Sequence, residues 1–113
     1  MATHHWEFIR TPTYEAAARR ILSEEAERVH VEDRLIADPR AGDLLVGTGG
    51  FRKLRVPLPG RGKSGGGRVV YYFVGARARI YLVAFFSKNV KENLTKAERN
   101  TLKGIAQELE AEA

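Results

Sequence analysis

The sequence predicts an α+β domain: an N-terminal strand and two helices, then an antiparallel sheet core and a C-terminal helix. Three observations carry this. Apolar residues recur at helical spacing in the first third and again near the end. Between them lie segments rich in Val, Ile, Tyr and Phe that alternate or run apolar, as strands do. Those segments follow one another through short connections, which favours antiparallel pairing with helices packed on the sheet. The chain has 113 residues, so one domain spanning 1–113 is expected.

Each element has a local reason. "HWEFIR" (5–10) is short, aromatic and β-branched, a strand signature. Thr11 and Pro12 follow as N-cap and first helical residue, and Tyr14, Ala17, Ala18 and Ile21 repeat at helical spacing. Ser23 offers a second N-cap. Glu24 and Glu25 suit the positive end of that helix, with Val29, Leu35 and Ile36 as its apolar face. Pro39 ends it, because the residue before proline is pushed out of the α region. Gly42, Gly47, Gly49 and Gly50 then punctuate a turn region. "FRKLRVPL" (51–58) alternates, with Lys53 and Arg55 on one face and Leu54 and Val56 on the other. "RVVYYFV" (68–74) and "RIYLVAFF" (79–86) are the strongest strands, joined by a hairpin turn at "GAR" (75–77). Thr95 with Glu98 forms a capping box for the last helix, whose buried side is marked by Leu102, Ile105 and Leu109.

Composition narrows the function. No cysteine is present, which removes disulfides and thiolate metal sites and fits a reducing compartment. His4 and His5 form a terminal pair, read as a flexible end rather than a site. No apolar run approaches the ~20 residues of a membrane span. A soluble, cytoplasmic protein with no membrane partner is therefore expected. The charge is unevenly spread. Residues 1–50 carry six Lys/Arg and nine Asp/Glu, a balance of −3. Residues 51–90 carry nine Lys/Arg and no acid. Residues 91–113 carry four bases and five acids, a balance of −1. Solvated surfaces usually mix signs, so forty residues of one sign point to a polyanion partner.

"GRGKSGGG" (60–67) sits inside that segment and looks like a nucleotide loop. Gly60, Gly62 and Gly65 satisfy G-x-G-x-x-G, and Gly62, Lys63 and Ser64 match the tail of a Walker A motif. Yet the first Walker glycine falls on Pro57, and a strand rather than a helix follows. A pyrophosphate has no helix N-terminus to rest on. The loop is instead expected to be a connection between two strands, either a long hairpin loop with solvated charges or a basic flap in which Arg61 and Lys63 meet a phosphate backbone.

The same segment has no carboxylate pair, clustered histidines or thiol. It can still act on RNA, which carries its own nucleophile. Cleavage needs a base for the 2′-hydroxyl, cations for the crowded phosphorane and an acid for the 5′-oxygen. Guanidinium forks fit phosphate oxygens. A lysine crowded by cations can serve as the base; Lys53 would have Arg55, Arg68 and Lys88 for neighbours. No metal or other cofactor is called for. Charges standing out of a strand contribute little to folding, so substitutions at Lys53 and Arg68 are expected to leave thermal stability nearly unchanged.

"GTGGFRKLRVPLPGRGKSGGGRVVYYFV" followed by "RIYLVAFFSKNVKENLTKAERNTLK" resembles the HigB branch of the RelE/ParE toxin superfamily, over about residues 42 to 105. The combination of G-x-G-G-x-R-K-x-R, a glycine-rich basic loop, R-[VI]-[VI]-Y-Y-F and K-N carries the resemblance. It implies a RelE-like fold and the toxin of a type II toxin–antitoxin module: a ribosome-dependent, metal-independent mRNA endoribonuclease that inhibits translation. Its partners would be a HigA-like antitoxin, the ribosome and mRNA. By position, the resemblance places the family's strand lysine on Lys53, the basic residue two further on at Arg55, the arginine opening the next strand at Arg68, and the C-terminal basic residue at Lys88 with Asn89 beside it. Lys53 is then the base, Arg55 and Arg68 stabilise phosphate, and Lys88 is the acid or a substrate clamp. Tyr72 is a candidate to stack on a base. RelE has an arginine near Asn89 and a tyrosine near Thr95 that this chain lacks. ParE-type relatives share the fold but inhibit DNA gyrase without cutting RNA, and a non-catalytic RNA-binding module is the third reading.

Overall fold

Thr11 starts the first helix as its sequence predicts, and it also ties that helix to the sheet. Its Oγ1 accepts from the Tyr14 N–H at 3.1 Å and donates to the Val83 carbonyl at 3.2 Å. In this computed structural model, which describes residues 5–58, 66–88 and 93–112, the order is β1 (Glu7–Arg10), α1 (Pro12–Ile21), α2 (Glu25–Ala37), β2 (Asp43–Leu44), β3 (Arg52–Val56), β4 (Gly67–Val74), β5 (Arg79–Ser87) and α3 (Lys96–Ala111). The expected order holds, with one addition. β2 is a two-residue edge strand inside the glycine-rich region.

The sheet runs β1-β5-β4-β3-β2. β2 to β5 are antiparallel, while β1 lies parallel to β5, so the sheet is mixed rather than wholly antiparallel. Glu7 stands beside Arg79 in that parallel pair and forms an ion pair with it at 2.9 Å. The β4–β5 connection is a 3-10 turn at Gly75–Arg77, closed by Ala78 in the left-handed region at φ 52°. A register shift between Val70 and Tyr71 marks a bulge in the β4–β5 pair.

Two cores follow from the strand alternation. On the first face, Leu54, Val56, Val69, Tyr71, Leu82 and Phe85 pack against Tyr14, Ala17, Ala18 and Leu22 of the α1 segment and Val31 and Leu35 of α2. On the second face, Phe51, Val70, Tyr72, Val74 and Tyr81 pack against Ala106 of α3. Leu102, Ile105 and Leu109 lie against this second core only partly buried, and Ala106 is the fully buried residue of the helix. α3 thus lies on its face more loosely than the sequence predicts. Its capping box is present in both directions, at 2.8 and 3.1 Å.

α2 departs from expectation at two points. Its N-cap position is Glu24, with no side-chain cap bond, rather than Ser23. The junction is held by Arg28 instead, whose Nη1 donates to the carbonyls of Leu22 (2.6 Å) and Ser23 (3.0 Å). The buried stripe is Val31 and Leu35, while Val29 and Ile36 are 46% and 44% exposed. Four residues separate the buried pair, which brings both to the same face. Val29 and Ile36, seven apart, line up with each other on a different side.

Gly42 is fixed by close packing. A Cβ there would stand 2.9 Å from the backbone carbonyl of Lys53 and 2.8 Å from the Tyr71 ring. Backbone does not step aside as a side-chain tip can. Gly42→Ala is therefore expected to destabilise the protein by about 1–3 kcal/mol, read as a lower thermal midpoint.

Candidate nucleic-acid interface

β3 alternates as predicted: Leu54 and Val56 are buried, and Arg55 is exposed. Pairing with β4 sets Lys53 opposite Val70 and Arg55 opposite Arg68. β5 continues the row, with Phe86 opposite Arg68. Lys88 lies just past the end of β5, where its N–H donates to the Gly66 carbonyl at 3.0 Å. The fold thus brings Lys53, Arg55 and Arg68 together on the second sheet face, with Lys88 at the strand end beside them. Directly paired side chains stand about 5 Å apart at Cβ, which is a phosphate's reach.

Arg68 departs from the expectation of an exposed strand charge. It is only 6% exposed, and its Nη1 donates to the Gly67 carbonyl at 3.1 Å. A Cβ on Gly66 would come within 3.2 Å of that same nitrogen, so the glycine leaves room for the guanidinium. A Cβ on Gly67 would fall 2.7 Å from the Phe85 ring. These two glycines let the start of β4 lie close on its neighbours. Substitution of Arg68 therefore touches packing as well as charge, unlike substitution of Lys53.

Three features of the site escape a linear reading. Arg34 of α2 donates from Nη1 to the Arg55 carbonyl at 2.9 Å and so pins the strand that carries both cations. Asp43 of β2 lies directly opposite Lys53. The site is free of acid along the chain but not in space. Asp43 comes from the acidic half, and a two-residue strand leaves almost no periodic signal. Third, Glu110 of α3 accepts a short hydrogen bond from the Tyr72 hydroxyl.

Tyr72 is correspondingly covered. It is 5% exposed and its ring lies 5.0 Å from that of Phe51. No ring face is open to a base in this arrangement; α3 would first have to move. Burial, and then the Glu110 carboxylate, push its phenol up to about 12. A raised folded-state value means the protonated phenol supports the fold. That contribution is present in full below the unfolded tyrosine value near ~10 and is lost as pH rises toward the folded value. Stability is expected to fall through this alkaline window, and Tyr72→Phe to flatten the fall in denaturant midpoints measured against pH.

Arg61, Lys63 and Asn89 lie outside the described residues, as does most of the 60–67 loop. Among the described residues, no group of three or more His, Asp or Glu side chains is placed to hold a metal ion. Nor is any helix there long and apolar enough to cross a membrane.

Comparison with known proteins agrees with the fold. The chain's fold is similar to a chain of the intact E. coli RelBE toxin–antitoxin complex, with a TM-score of 0.53 at 16% identity, over 73% of this chain and 95% of the other. The family model for the RelE toxin of the RelE/RelB toxin–antitoxin system matches residues 19–113. That match takes in both α2 and the whole of the β2–α3 region that builds the basic face, and on it the chain belongs to the RelE toxin family.

Proposed function

We propose that this chain is a HigB-like toxin of a type II toxin–antitoxin module and cuts mRNA on the ribosome in the cytoplasm. The observation that carries the reading is the Arg55–Arg68 pair on adjacent strands, with Lys53 two residues along the same face. In this reading Lys53 takes the proton of the RNA 2′-hydroxyl. The freed oxygen attacks the adjacent phosphorus, and the P–O5′ bond breaks. Arg55 and Arg68 stabilise the charge that gathers on the phosphorane oxygens. Lys88 returns a proton to the departing 5′-oxygen. The products are a 2′,3′-cyclic phosphate and a 5′-hydroxyl end. No step calls for a metal.

Asp43, directly opposite Lys53 in the β2–β3 register, is suited to orient its side chain before the substrate arrives. Arg61, Lys63 and Asn89 are assigned to RNA binding. Tyr72 joins them only if α3 lifts from the second face. A HigA-like antitoxin with an acidic segment complements the same basic surface.

The test is to add the protein to a translating extract and map new 5′ ends on the message. Ends that appear within translated codons, and persist with EDTA controls read against ribosome integrity, support cleavage. Growth arrest without new ends, with DNA gyrase inhibited, would replace this reading with the ParE-type one.

A further inference from the structure

Where the first face of the sheet ends, two arginines lie over an aromatic that packs against the first core and takes no part in the basic site. Phe73 of β4 is half-buried at that edge. The guanidinium carbons of Arg40 and Arg52 lie 5.4 and 5.9 Å from its ring centroid. Trp6 meets the same ring edge-on, at 6.3 Å and 84°. Phe73 shares the face of Tyr71, so this stack lies across the sheet from Lys53, Arg55 and Arg68.

The turn that presents Arg40 is held at several points. The Tyr71 hydroxyl, buried beneath it, donates to the Pro39 carbonyl at 2.6 Å and accepts from the Gly42 N–H at 2.9 Å. Asp38 accepts from the Arg40 N–H at 3.0 Å. Arg52 donates from Nη1 to the Gly42 carbonyl at 2.9 Å and to that of Arg40 at 3.4 Å. Gly42 packs on the β3 backbone.

The charges themselves are not matched. Arg10–Glu32, Arg19–Glu15 and Arg79–Glu7 are ion pairs, and neither Arg40 nor Arg52 takes part in them. One exposed cation–π contact is worth about 0.5–1 kcal/mol. A second guanidinium on the same ring adds like-charge repulsion, which a bound anion turns into attraction. Guanidinium planes stack on bases as well as bind phosphate, and aromatic edges extend such a platform.

We propose that the Arg40–Phe73–Arg52 stack, with Trp6 at its edge, is a second RNA contact that holds ribosomal RNA on the side of the sheet opposite the reacting message. The proposal rests on the ribosomal reading above and adds to it a bipartite grip. An acidic peptide would need charge alone; the planar stack favours unpaired RNA.

Co-sedimentation with vacant 70S ribosomes across a salt series tests it, using the parent chain, Arg40→Ala, Arg40→Glu and Lys53→Ala. Arg40 is exposed, and a thermal midpoint checks that each variant is folded. Arg40→Ala is expected to weaken binding several-fold and to lower the slope of log K against log salt by about 1. Arg40→Glu should weaken it further. Single-turnover cleavage at saturating protein should be unchanged in Arg40→Ala. Lys53→Ala should show the reverse, with affinity kept and rate lost. If folded Arg40→Glu binds ribosomes like the parent, the second contact is refuted while the cleavage reading stands. If Arg40→Glu keeps ribosome affinity but loses binding to polyglutamate, the stack belongs to an acidic protein segment and the proposal is equally overturned. If the parent fails to bind ribosomes at all, both fall together.

Discussion

Lys53→Ala is expected to abolish most mRNA cleavage while leaving the folded protein intact. General acid–base catalysis typically contributes ~10²–10⁴ in rate, or about 3–5 kcal/mol of barrier. The loss should appear in single-turnover cleavage on programmed ribosomes and not in ribosome affinity. Lys53 sits on β3 near the sheet edge, partly exposed, between Asp43 and Val70 in the register, so its truncation opens no core cavity. Lys53→Arg separates the two roles a cation can play. Arginine keeps the charge but stays protonated and accepts nothing. Loss in both variants assigns proton abstraction to Lys53. Cleavage by Lys53→Arg at the parental rate would leave it an electrostatic role only and move the base elsewhere, with Asp43 the nearest carboxylate in the register.

Arg68 should be almost as sensitive, for a different reason. A donor aimed at developing charge is typically worth ~10²–10³ in rate, about 3–4 kcal/mol. Arg68→Ala is expected to show that loss. Because the side chain is buried against the Gly66–Gly67 segment, it should also lower the thermal midpoint. Arg68→Lys resolves the two effects. It refills much of the space and retains charge but loses the planar fork, so stability should largely return while the rate stays depressed. A lysine variant as fast as the parent would mean that Arg68 supplies charge and packing rather than two-point phosphate contact.

What the sequence made legible, and what it hid, divides along physical lines. Local signals with one dominant cause were readable. The Thr11–Pro12 start of α1, the Thr95–Glu98 capping box and the β4–β5 turn each depend on a few adjacent residues. The alternation in β3 was readable too, since one buried face imposes period two. Signals that depend on distant chain were not. The parallel pairing of β1 with β5 depends on where α1 and α2 return the chain. Ser23 has the chemistry of a cap, but Arg28 already satisfies the junction. The apolar face of α2 could be drawn through Val29, Leu35 and Ile36 or through Val31 and Leu35, and only the sheet beneath decides.

The same division holds for the basic face. Lys53, Arg55 and Arg68 were visible because they lie in one acid-free stretch, and pairing of β3 with β4 brings them together. Asp43 and Arg34 join them from the acidic half, where nothing local marks them. Tyr72 shows the limit of residue type as a guide. An aromatic in a basic strand suits base stacking, yet α3 and Phe51 occupy its surroundings here.

The central claim is that the basic face cleaves RNA through the RNA's own 2′-hydroxyl. It is tested most directly by single-turnover reaction of the parent protein on ribosomes programmed with two messages. One is all-ribose, and the other carries a single 2′-deoxy nucleotide at the mapped cleavage position. The account predicts cutting of the first to a 2′,3′-cyclic phosphate end, and binding without cutting at that position for the second. Cleavage of the deoxy position at the parental rate would contradict it, because the nucleophile would then come from elsewhere, and an all-ribose message left whole would remove cleavage from the account altogether.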